Sequence, residues 1–598
     1  MMRRAGNSRA QVTSTETFPA PSSGWVQSGN IVTAGMDQAE VLDNFIPTAQ
    51  GARMRGGASE HADIGAAAVR MMHYSSGGVD DFFAGTETAI FDVDRISGGG
   101  SNAFGDVEGL TSGDWTFGQI ATAGGQFMVC ANGSDYVHYW DGSNFNPITD
   151  EAIFDLGFDA QTGAFTVGST LTGGTSGATA EILGVTKTST TAGTLRLGAI
   201  TGTFQDNETI TDAATGSATE DGVSAAGSTV AITGVDTSTL SQVWNFKERF
   251  FFVEKDTANV WYLPTESIGG AALEFPLGSV FGRGGSVLFG ATWSLDSGSG
   301  MDDVCLFVSD QGEVAVYEGS NPSSVSTWSL VGVYEIGRPL NKHGHFRAGG
   351  DLAVLTEDGI IPISEALKKD RAALQTVAIS YPIEDAWKSA IANRTISYPI
   401  SVSLWQSQTL LLIGTPAKVD GLNVSFAANA RTGAWARFTG WDVRSTIVVA
   451  DQLYFADNTG KIFKADNGGL DDGASYTCKY VGKFSPSDQV RAANAVGITY
   501  RAVSEIPVTL DAMSDYNVTE LDAPSPIANS SFSTWGTGVW GTFVWGDTGT
   551  PATFTTWQSA YAVGYSLAPA VEFTSNETTK PDVEILMMRV RSERGYAL

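Results

Sequence analysis

Short apolar runs alternate with turn residues along most of the chain, and this alternation predicts antiparallel β-hairpins of similar size. The apolar run 126–131 is followed by Asn132-Gly133 and then by a second apolar run, 136–140. Asn-Gly is favoured in tight hairpin turns because both turn positions need a positive φ. The pattern therefore predicts strand, turn and strand here. Similar apolar runs with turn residues recur at 249–263, 304–317, 352–361, 409–413 and 452–463.

Many hairpins of similar length are typical of an all-β protein, either a β-propeller or a large sandwich. The spacing is too irregular for a WD40 or Kelch array. We favour the propeller, with stacked sandwiches as the alternative. Helices are predicted at 364–374, which has apolar periodicity, and at 382–392, where Pro382 and two acids stand in the first turn.

The stretch 155–235 differs from the rest because it is rich in Thr, Gly, Ala and Ser and has few aromatic residues. It contains a repeat, since the segment from Phe165 aligns with the segment from Phe204, 39 residues later. Its other apolar anchors are Val167, Leu171 and Ile182. A low-complexity linker is one interpretation. The repeated Phe and the Thr and Val content favour the other, a small β-domain inserted between two propeller hairpins.

These changes of composition predict five segments. The turn-rich acidic stretch 466–473 separates the body from a C-terminal part. The segments are a flexible N-terminal arm at 1–23, the first part of the propeller at 24–154, the inserted repeat domain at 155–235, the second part of the propeller at 236–470 and a C-terminal β-domain at 471–598.

Three Trp-Gly pairs mark the C-terminal segment, at Trp535, Trp540 and Trp545. A spacing of five residues fits neither a helix nor a strand, so the glycines are expected to redirect the chain between the tryptophans. One interpretation, which we favour, makes them core anchors under irregular loops. The other makes them an aromatic surface for a partner or a sugar, since Trp is favoured at such sites.

The charge balance excludes an extensive phosphate-binding surface, because the formal net charge is −30 and such surfaces need clustered Lys and Arg. An acidic wall still allows DNA to slide past without binding. No apolar run is long enough for a membrane-spanning helix, and the N-terminal sequence lacks the apolar region of a secretory signal. Three cysteines, Cys130, Cys305 and Cys478, argue against a disulfide framework and for folding in a reducing cytoplasm.

No set of residues completes a catalytic or metal site, so we expect no enzymatic activity, no metal and no cofactor. The acid pairs are expected to be solvated turn residues, and His343 and His345 are expected to lie in a surface turn. Neither a phosphate-binding loop nor a nucleophile elbow is found. The acid pairs are Asp80-Asp81, Asp302-Asp303 and Asp471-Asp472.

Several segments together resemble the tail nozzle family of short-tailed bacteriophages, also called tail tubular protein B or packaged-DNA stabilisation protein. Such proteins open with a phrase of Asn, an apolar residue and Pro that leads into an Arg-x-Arg-x-Gly strand. The 155–235 stretch lies outside the resemblance. The matching positions of the opening phrase are Asn44, Phe45, Pro47, Arg53, Arg55 and Gly57. Further similar phrases lie at 261–264, 312–317, 328–339, 349–364 and 584–595.

The resemblance implies a structural role in the virion tail, with assembly in the bacterial host cytoplasm. It implies a β-propeller body and a homo-hexameric ring beneath the adaptor, or head-to-tail connector, with tail fibre or needle proteins as further partners. Such a ring closes the DNA channel, retains the packaged genome and conducts it during ejection, without binding the DNA tightly. The alternative from another class is a virion-associated propeller enzyme or carbohydrate-binding protein that acts on host surface polysaccharide.

Overall fold

Antiparallel β-meanders dominate the protein, as the alternation of apolar and turn residues predicts. A short N-terminal series of strands belongs to a large sheet and comprises β1 Thr13–Pro19, β2 Gly24–Trp25, β3 Gln38–Asp43, β4 Phe45–Pro47 and β5 Ala52–Met54. The computed structural model describes residues 13–27, 35–96, 104–296, 301–324, 326–394, 400–419, 421–503, 505–519, 521 and 551–594.

A ring of meanders forms a β-propeller, and the predicted all-β propeller fold is confirmed. Two meanders of the ring continue into larger sheets, and five blades are separate sheets. The first continuing meander comprises β7 Arg70–Ser76, β8 Val79–Gly85, β9 Ala89–Asp92 and β10 Val107–Glu108, with helix α1 Val93–Ile96 between the last two. The second comprises β35 Ser401–Trp405, β36 Leu410–Val419, β37 Leu422–Asn429 and β38 Trp435–Thr439.

The separate blades have three or four strands each, and hydrophobic clusters fill the spaces between neighbouring blades. The first blade comprises β11 Thr116–Thr122, β12 Gly125–Ala131, β13 Val137–Trp140 and β14 Phe145–Ile148. The second comprises β23 Leu240–Phe246, β24 Arg249–Glu254, β25 Asn259–Tyr262 and β27 Leu273–Pro276. The third comprises β28 Val287–Asp296, β29 Met301–Ser309, β30 Glu313–Gly319 and β31 Trp328–Glu335. The fourth comprises β32 His345–Ala348, β33 Asp351–Thr356 and β34 Gly359–Pro362.

The fifth blade closes the ring with a strand from the N-terminal side of the chain. Its strands β39 Ser445–Val449, β40 Gln452–Ala456 and β41 Lys461–Lys464 are completed by β6 Ser59–Asp63, which pairs with β41. Strand β39 packs against β7 and β35, so the last blade meets its neighbours on both sides. The ring is therefore closed by hydrogen bonds between segments about 400 residues apart in the chain.

Three of the four α-helices in the described residues follow the fourth blade, where the sequence predicts helices. The predicted helix at 364–374 is divided into α2 Ile363–Ala366 and α3 Arg371–Leu374, and the prediction at 382–392 is confirmed by α4 Glu384–Ala392. In α4 the Trp387 ring is buried, and its Nε1 donates to the carbonyl oxygen of Thr356 at 3.1 Å. Single 3₁₀ turns lie at Thr237–Thr239, Gln375–Val377 and Tyr381–Ile383.

The large sheet has 14 strands and joins both chain ends to the propeller. Its C-terminal strands are β42 Tyr476–Gly482, β43 Ser485–Ala502, β44 Thr509–Ser514, β45 Ala552–Ser575 and β46 Val583–Arg594. Strand β3 pairs with β42 on one side and touches β38 on the other, so the sheet runs without a break from β35–β38 to the C-terminal strands. Strands on both sides of the predicted boundary at residue 470 therefore belong to the same sheet.

The prediction of a flexible arm at 1–23 is wrong for its described part. Strand β1 pairs with β46 from Thr13 to Pro19, and Phe18 is fully buried in the core of the large sheet. The alternation of polar residues in this strand gave no apolar signal beyond Phe18 itself. Burial of that one ring and the backbone pairing with β46 hold the segment in place.

The Thr- and Gly-rich stretch forms a sheet with its own core, in which Phe165 and Phe204 of the two repeats are both buried. The repeats meet where β16 pairs with β19, at Thr172 and Thr211. This sheet is continuous with the β7–β10 meander because β10 pairs with β17. Its strands are β15 Phe154–Gly163, β16 Thr170–Gly173, β17 Thr179–Lys187, β18 Gly193–Leu197, β19 Thr209–Thr211, β20 Ser217–Glu220 and β21 Ala225–Ala226. A short pair, β22 Ile232–Thr233 with β26 Gly270–Ala271, leads back to the second blade.

A buried arginine, Arg55, joins the end of β5 to the turn that precedes β42, and we call this contact region the joint. Arg55 has no exposed side-chain surface, and its Nη1 and Nη2 donate to the two carboxylate oxygens of Asp471 at 2.9 and 2.7 Å. Its Nε donates to Asn44 Oδ1 at 2.9 Å, and the guanidinium lies between the rings of Tyr476 and Trp441. Every nitrogen of this guanidinium has a hydrogen-bond partner, so the cation is stabilised although it is buried.

Two residues of the same opening phrase have backbone reasons for their identity. Asn44 adopts a φ of 62°, which Asn tolerates better than most residues, and its side-chain oxygen also accepts from the Thr439 amide at 2.9 Å. A side chain at Gly57 would place its Cβ 2.0 Å from the carbonyl oxygen of Leu470. The opening segment that resembles the nozzle family therefore contributes residues that hold the chain after β5 against Leu470 and Asp471.

Candidate functional site

An axial cavity of about 480 Å³ lies where the innermost strands of the propeller begin. Its walls are the opening residues of β7, β11, β23, β28, β32, β35 and β39. The innermost strands of a propeller line a central channel, which is where such a cavity forms. Gln242 closes part of the wall by pairing with the backbone of Gly290, donating at 2.8 Å and accepting at 2.6 Å. The cavity is therefore framed by the fold itself.

Every ionisable side chain in the cavity lining is basic. These side chains are Arg70, Lys342, His343, His345 and Arg347. Arg70 begins β7, and the other four lie in β32 and the turn before it. Two segments that are far apart in the sequence therefore supply these side chains. This concentration contrasts with a chain in which acids outnumber Lys and Arg by 65 to 35.

Asp114 is the carboxylate that holds the basic groups together. His343 Nε2 donates to Asp114 Oδ1 at 2.7 Å, and Lys342 Nζ lies 3.1 Å from Oδ2. Arg70 Nε lies 3.9 Å from Oδ1, which is too long for a hydrogen bond. Lys342 also donates to the carbonyl oxygens of Asp114 and Ser241 at 2.7 and 2.8 Å, so one side chain ties three parts of the ring together.

The protonation states of this cluster follow from burial and from the charges within it. Burial, with the Arg70 charge, lowers the pKa of His343 to about 3 although Asp114 opposes the change. Burial lowers the pKa of His345 to about 4. Burial would raise the pKa of Asp114, but His343, Lys342 and Arg70 hold it well below its usual range. At neutral pH the two histidines are therefore neutral and Asp114 is ionised.

The two arginines of the cluster, Arg70 and Arg347, stay charged at neutral pH. Burial lowers the pKa of Arg70 to about 10, with Asp114 acting in the opposite direction, and burial also lowers the pKa of Lys342. The Arg70 side chain is only 8% exposed, and neither its Nε nor its Nη2 has a hydrogen-bond partner in the described protein. The cluster therefore combines these two arginines with one carboxylate, and the balance is positive.

The prediction that His343 and His345 lie in a surface turn is wrong. The side chain of His343 is 14% exposed and bonds to Asp114, and His345 stacks on Phe289 with ring centroids 4.5 Å apart. The His-Gly-His spacing and the adjacent Lys342 were visible in the sequence. Asp114, 229 residues away, gave no local signal of its role.

The acid pairs are only partly solvated turn residues. Asp471 binds the buried Arg55, and Asp303 lies within β29 and accepts from Ser294 Oγ at 2.6 Å, so the prediction is wrong for these two. Asp81 accepts from Trp140 Nε1 at 2.9 Å in β8. Asp80 is paired with His73 on the same hairpin. Strand pairing places Asp80, Asp81 and Asp303, whereas Asp471 opens a turn at 471–474, as predicted, but points its carboxylate at Arg55 instead of solvent.

The predicted aromatic cluster of Trp535, Trp540 and Trp545 lies outside the described residues. A different aromatic row is present on β45, where alternate residues of the strand point away from the core. Strand geometry puts residues of period two on one face, so these side chains lie on one face of β45, with Ser559 between Trp557 and Tyr561. We call it the β45 aromatic row, and its members, with their exposed fractions, are Trp557 42%, Tyr561 84%, Val563 44% and Tyr565 57%.

The sequence carried a signal for this row that was missed. Aromatic residues at 557, 561 and 565 are separated by four, an even number, in a stretch that alternates in burial. Gly497 lies opposite Trp557 in the strand pairing, and a Cβ there would come within 2.6 Å of the indole ring. The glycine thus allows the tryptophan to lie flat on the sheet.

In the described part of the chain no group of three or more His, Cys, Asp or Glu side chains could hold a metal ion. Within those same residues no helix has the length and apolar character needed to span a bilayer. The three cysteines are free and buried.

No family model and no curated protein sequence matches the chain. Solved structures match it at low identity. The computationally designed Ika8 protein is 10% identical, with a TM-score of 0.30, over 69% of this chain and 99% of that chain. BamB from Moraxella catarrhalis is 11% identical, with a TM-score of 0.26, over 71% and 93%. The Cps50 (Swd1) β-propeller domain of Myceliophteria thermophila is 10% identical, with a TM-score of 0.29, over 66% and 98%. These likenesses concern the fold alone.

Proposed function

We propose that this chain is a structural protein of a short phage tail, where copies of it form the nozzle that closes and conducts the DNA channel. The β45 aromatic row is the observation that carries the proposal. Soluble monomers rarely expose contiguous apolar patches of this kind, and large ones mark surfaces that bind other proteins. The row lies on the large sheet, on a rigid element that could hold a neighbour in a fixed orientation.

The residues behind the family resemblance support an architectural role. Asn44, Arg55 and Gly57 lie in the joint, where the segment after β5 meets the turn before β42. None of them reaches the axial cavity. If a family shares residues because they hold strands together, its members are expected to act as structural parts of an assembly.

The charge of the chain supports the conduit part of the proposal. A net charge of −30 repels a polyanion, so DNA in a channel lined by such copies keeps its mobility. Under this proposal the copies form a homo-hexamer in the virion tail. They bind the adaptor on one side and tail fibre or needle proteins on the other, after assembly in the host cytoplasm.

Mass measurement of the purified protein tests the proposal, together with negative-stain images. We expect a closed ring, and we expect Tyr561→Asp with Tyr565→Asp to release monomers because the two charges would be buried in an interface. Val223→Asp is the matched control, since Val223 is 76% exposed in the connection between β20 and β21, and it should leave the ring intact. A wild-type protein that stays monomeric at every concentration would contradict the proposal.

The same experiment separates the alternative function. Exposed Trp and Tyr rings also stack on sugars, so a carbohydrate-binding protein would use the β45 aromatic row as well. A monomer that retains host surface polysaccharide, and loses it in the Tyr561→Asp variant, would favour that alternative. A depolymerase assay on the same preparation would detect the enzyme form of it.

A further inference from the structure

The axial cavity carries a charge opposite to that of the protein as a whole. Its ionisable lining residues are all basic, whereas the chain has 65 acids and 35 Lys and Arg. Chance placement on so acidic a protein would bring carboxylates into the lining. The one carboxylate described in contact with the cluster, Asp114, is already engaged by His343 and Lys342. Positive charge in a cleft attracts small anions, because low-dielectric walls focus the field.

Arg70 shows that the positive charge is incompletely compensated. A buried guanidinium without full hydrogen bonding is costly, since it has lost its hydration. Among the described residues, no acceptor reaches Arg70 Nε or Nη2, and the closest Asp114 oxygen is 3.9 Å from Nε. Arg347, which also lines the cavity, is exposed, and its Nη2 donates to the carbonyl oxygen of Thr292 at 3.3 Å.

We propose that the axial cavity binds a small oxyanion, a carboxylate or a phosphate group, which is held by hydrogen bonds from Arg347 and attracted by the buried positive charge of Arg70. Guanidinium groups bind the paired oxygens of both anions through parallel N–H donors. A cavity of about 480 Å³ is within the size range of small-ligand sites and leaves room for an organic group beyond the charged end. Asp114 and Lys342 position the site by fixing the ring segments on either side. The inference does not depend on the proposed tail function.

Calorimetric titration of the full-length protein with inorganic phosphate, and separately with acetate, tests the proposal. Ionic strength is held constant with sodium chloride so that general screening does not change. We expect saturable binding of at least one anion. Arg347→Gln should weaken it by about tenfold, the loss expected for one charge-assisted hydrogen bond. The tighter of the two probes identifies the class of ligand.

Arg338→Gln is the matched control, because Arg338 is exposed outside the cavity and donates to Gln311. It should bind the anion as the wild type does. Arg70→Gln, checked for folding by near-ultraviolet circular dichroism, should remove binding. No saturable binding to the wild type would overturn the proposal, and so would an affinity that Arg347→Gln leaves unchanged. Equal weakening by Arg347→Gln and Arg338→Gln would overturn it as well, because it would indicate unspecific attraction.

Discussion

Two buried arginines, Arg55 in the joint and Arg70 in the axial cavity, use the same side chain in different ways. In the joint, Arg55 donates from every nitrogen and lies between two aromatic rings, and its pKa is raised because Asp471 outweighs the effect of burial. In the axial cavity, Arg70 has two nitrogens without partners, and burial lowers its pKa to about 10. A fully satisfied cation indicates an architectural role, and an incompletely satisfied one leaves a positive charge that a nearby anion would compensate.

The largest effect is expected when the joint loses its cation. Arg55→Gln leaves Asp471 without its bidentate partner, and breaking a buried pair from one side costs about 3–5 kcal/mol. Chemical denaturation followed by tryptophan fluorescence measures the free energy of unfolding. Arg338→Gln on the exposed surface should stay within about 0.5 kcal/mol of the wild type. If the two variants unfold alike, Arg55 is not the centre of the joint.

A smaller loss is expected when the cavity loses its carboxylate. Asp114→Asn keeps an acceptor for His343 but removes the charge that compensates Lys342 and Arg70. Hydrogen bonds to charged groups contribute about 1.5–3 kcal/mol, and because Asp114 is partly exposed we expect the lower part of that range. The same variant should bind an oxyanion more tightly than the wild type. Weaker anion binding in this variant would show that the charge of Asp114 does not oppose anion binding, which would contradict the proposed site.

The pH dependence of stability distinguishes the cavity from the joint. The pKa of His343 is about 3 in the folded protein and about 6.5 in an unfolded chain. Between these values only the unfolded chain takes up the proton, so the free energy of unfolding falls as the pH falls. From pH 7 to 5.5 this loss is about 1 kcal/mol for His343.

His343→Gln tests that contribution because glutamine keeps an N–H donor for Asp114 but does not titrate. Denaturant midpoints at pH 7 and 5.5 should lie closer together in the variant than in the wild type, by the amount attributed to His343. The comparison of slopes cancels the other histidines, which are present in both proteins. An unchanged difference between the midpoints would mean that the pKa of His343 is the same in the folded protein as in the unfolded chain.

The smallest effect on stability is expected from Arg347→Gln. Arg347 is exposed and makes one long hydrogen bond, so its loss should change the free energy of unfolding by less than about 0.5 kcal/mol. This variant sharpens the contrast with Arg55, because it removes a cation that holds no structure together. A loss above 1 kcal/mol, measured by the same denaturation, would assign Arg347 a structural role.

Local patterns in the sequence predicted the elements well and their partners poorly. The hairpin predicted at 126–140 is present as β12 and β13, but a five-residue connection, 132–136, replaces the tight Asn132-Gly133 turn. The repeat beginning at Phe165 predicted strands, which β16 and β17 supply, although no local signal indicated their union with β10. Period and turn chemistry act over a few residues, whereas strand order in a sheet depends on the whole chain.

The candidate site shows the same limit more sharply. His343 was noticed for its spacing but assigned to the surface, because Asp114 and Arg70 lie more than 200 residues away in sequence. Asp471 was assigned to a solvated turn for the same reason, since its partner Arg55 comes from the other end of the chain. A propeller brings the first strand of each blade to one axis, so an axial site is assembled from short segments that lie far apart in sequence.

The pairing of β1 with β46 has a consequence for biogenesis. At a synthesis rate of about 5–20 residues per second, roughly half a minute to two minutes separate the emergence of these two strands from the ribosome. The blades made early can fold from local hairpins during that time. The N-terminal strand cannot take its place until translation is almost complete, and β6 waits in the same way for β41. A nascent chain of this protein therefore carries unpaired strand edges for most of its synthesis, and these are the segments that a chaperone would have to protect.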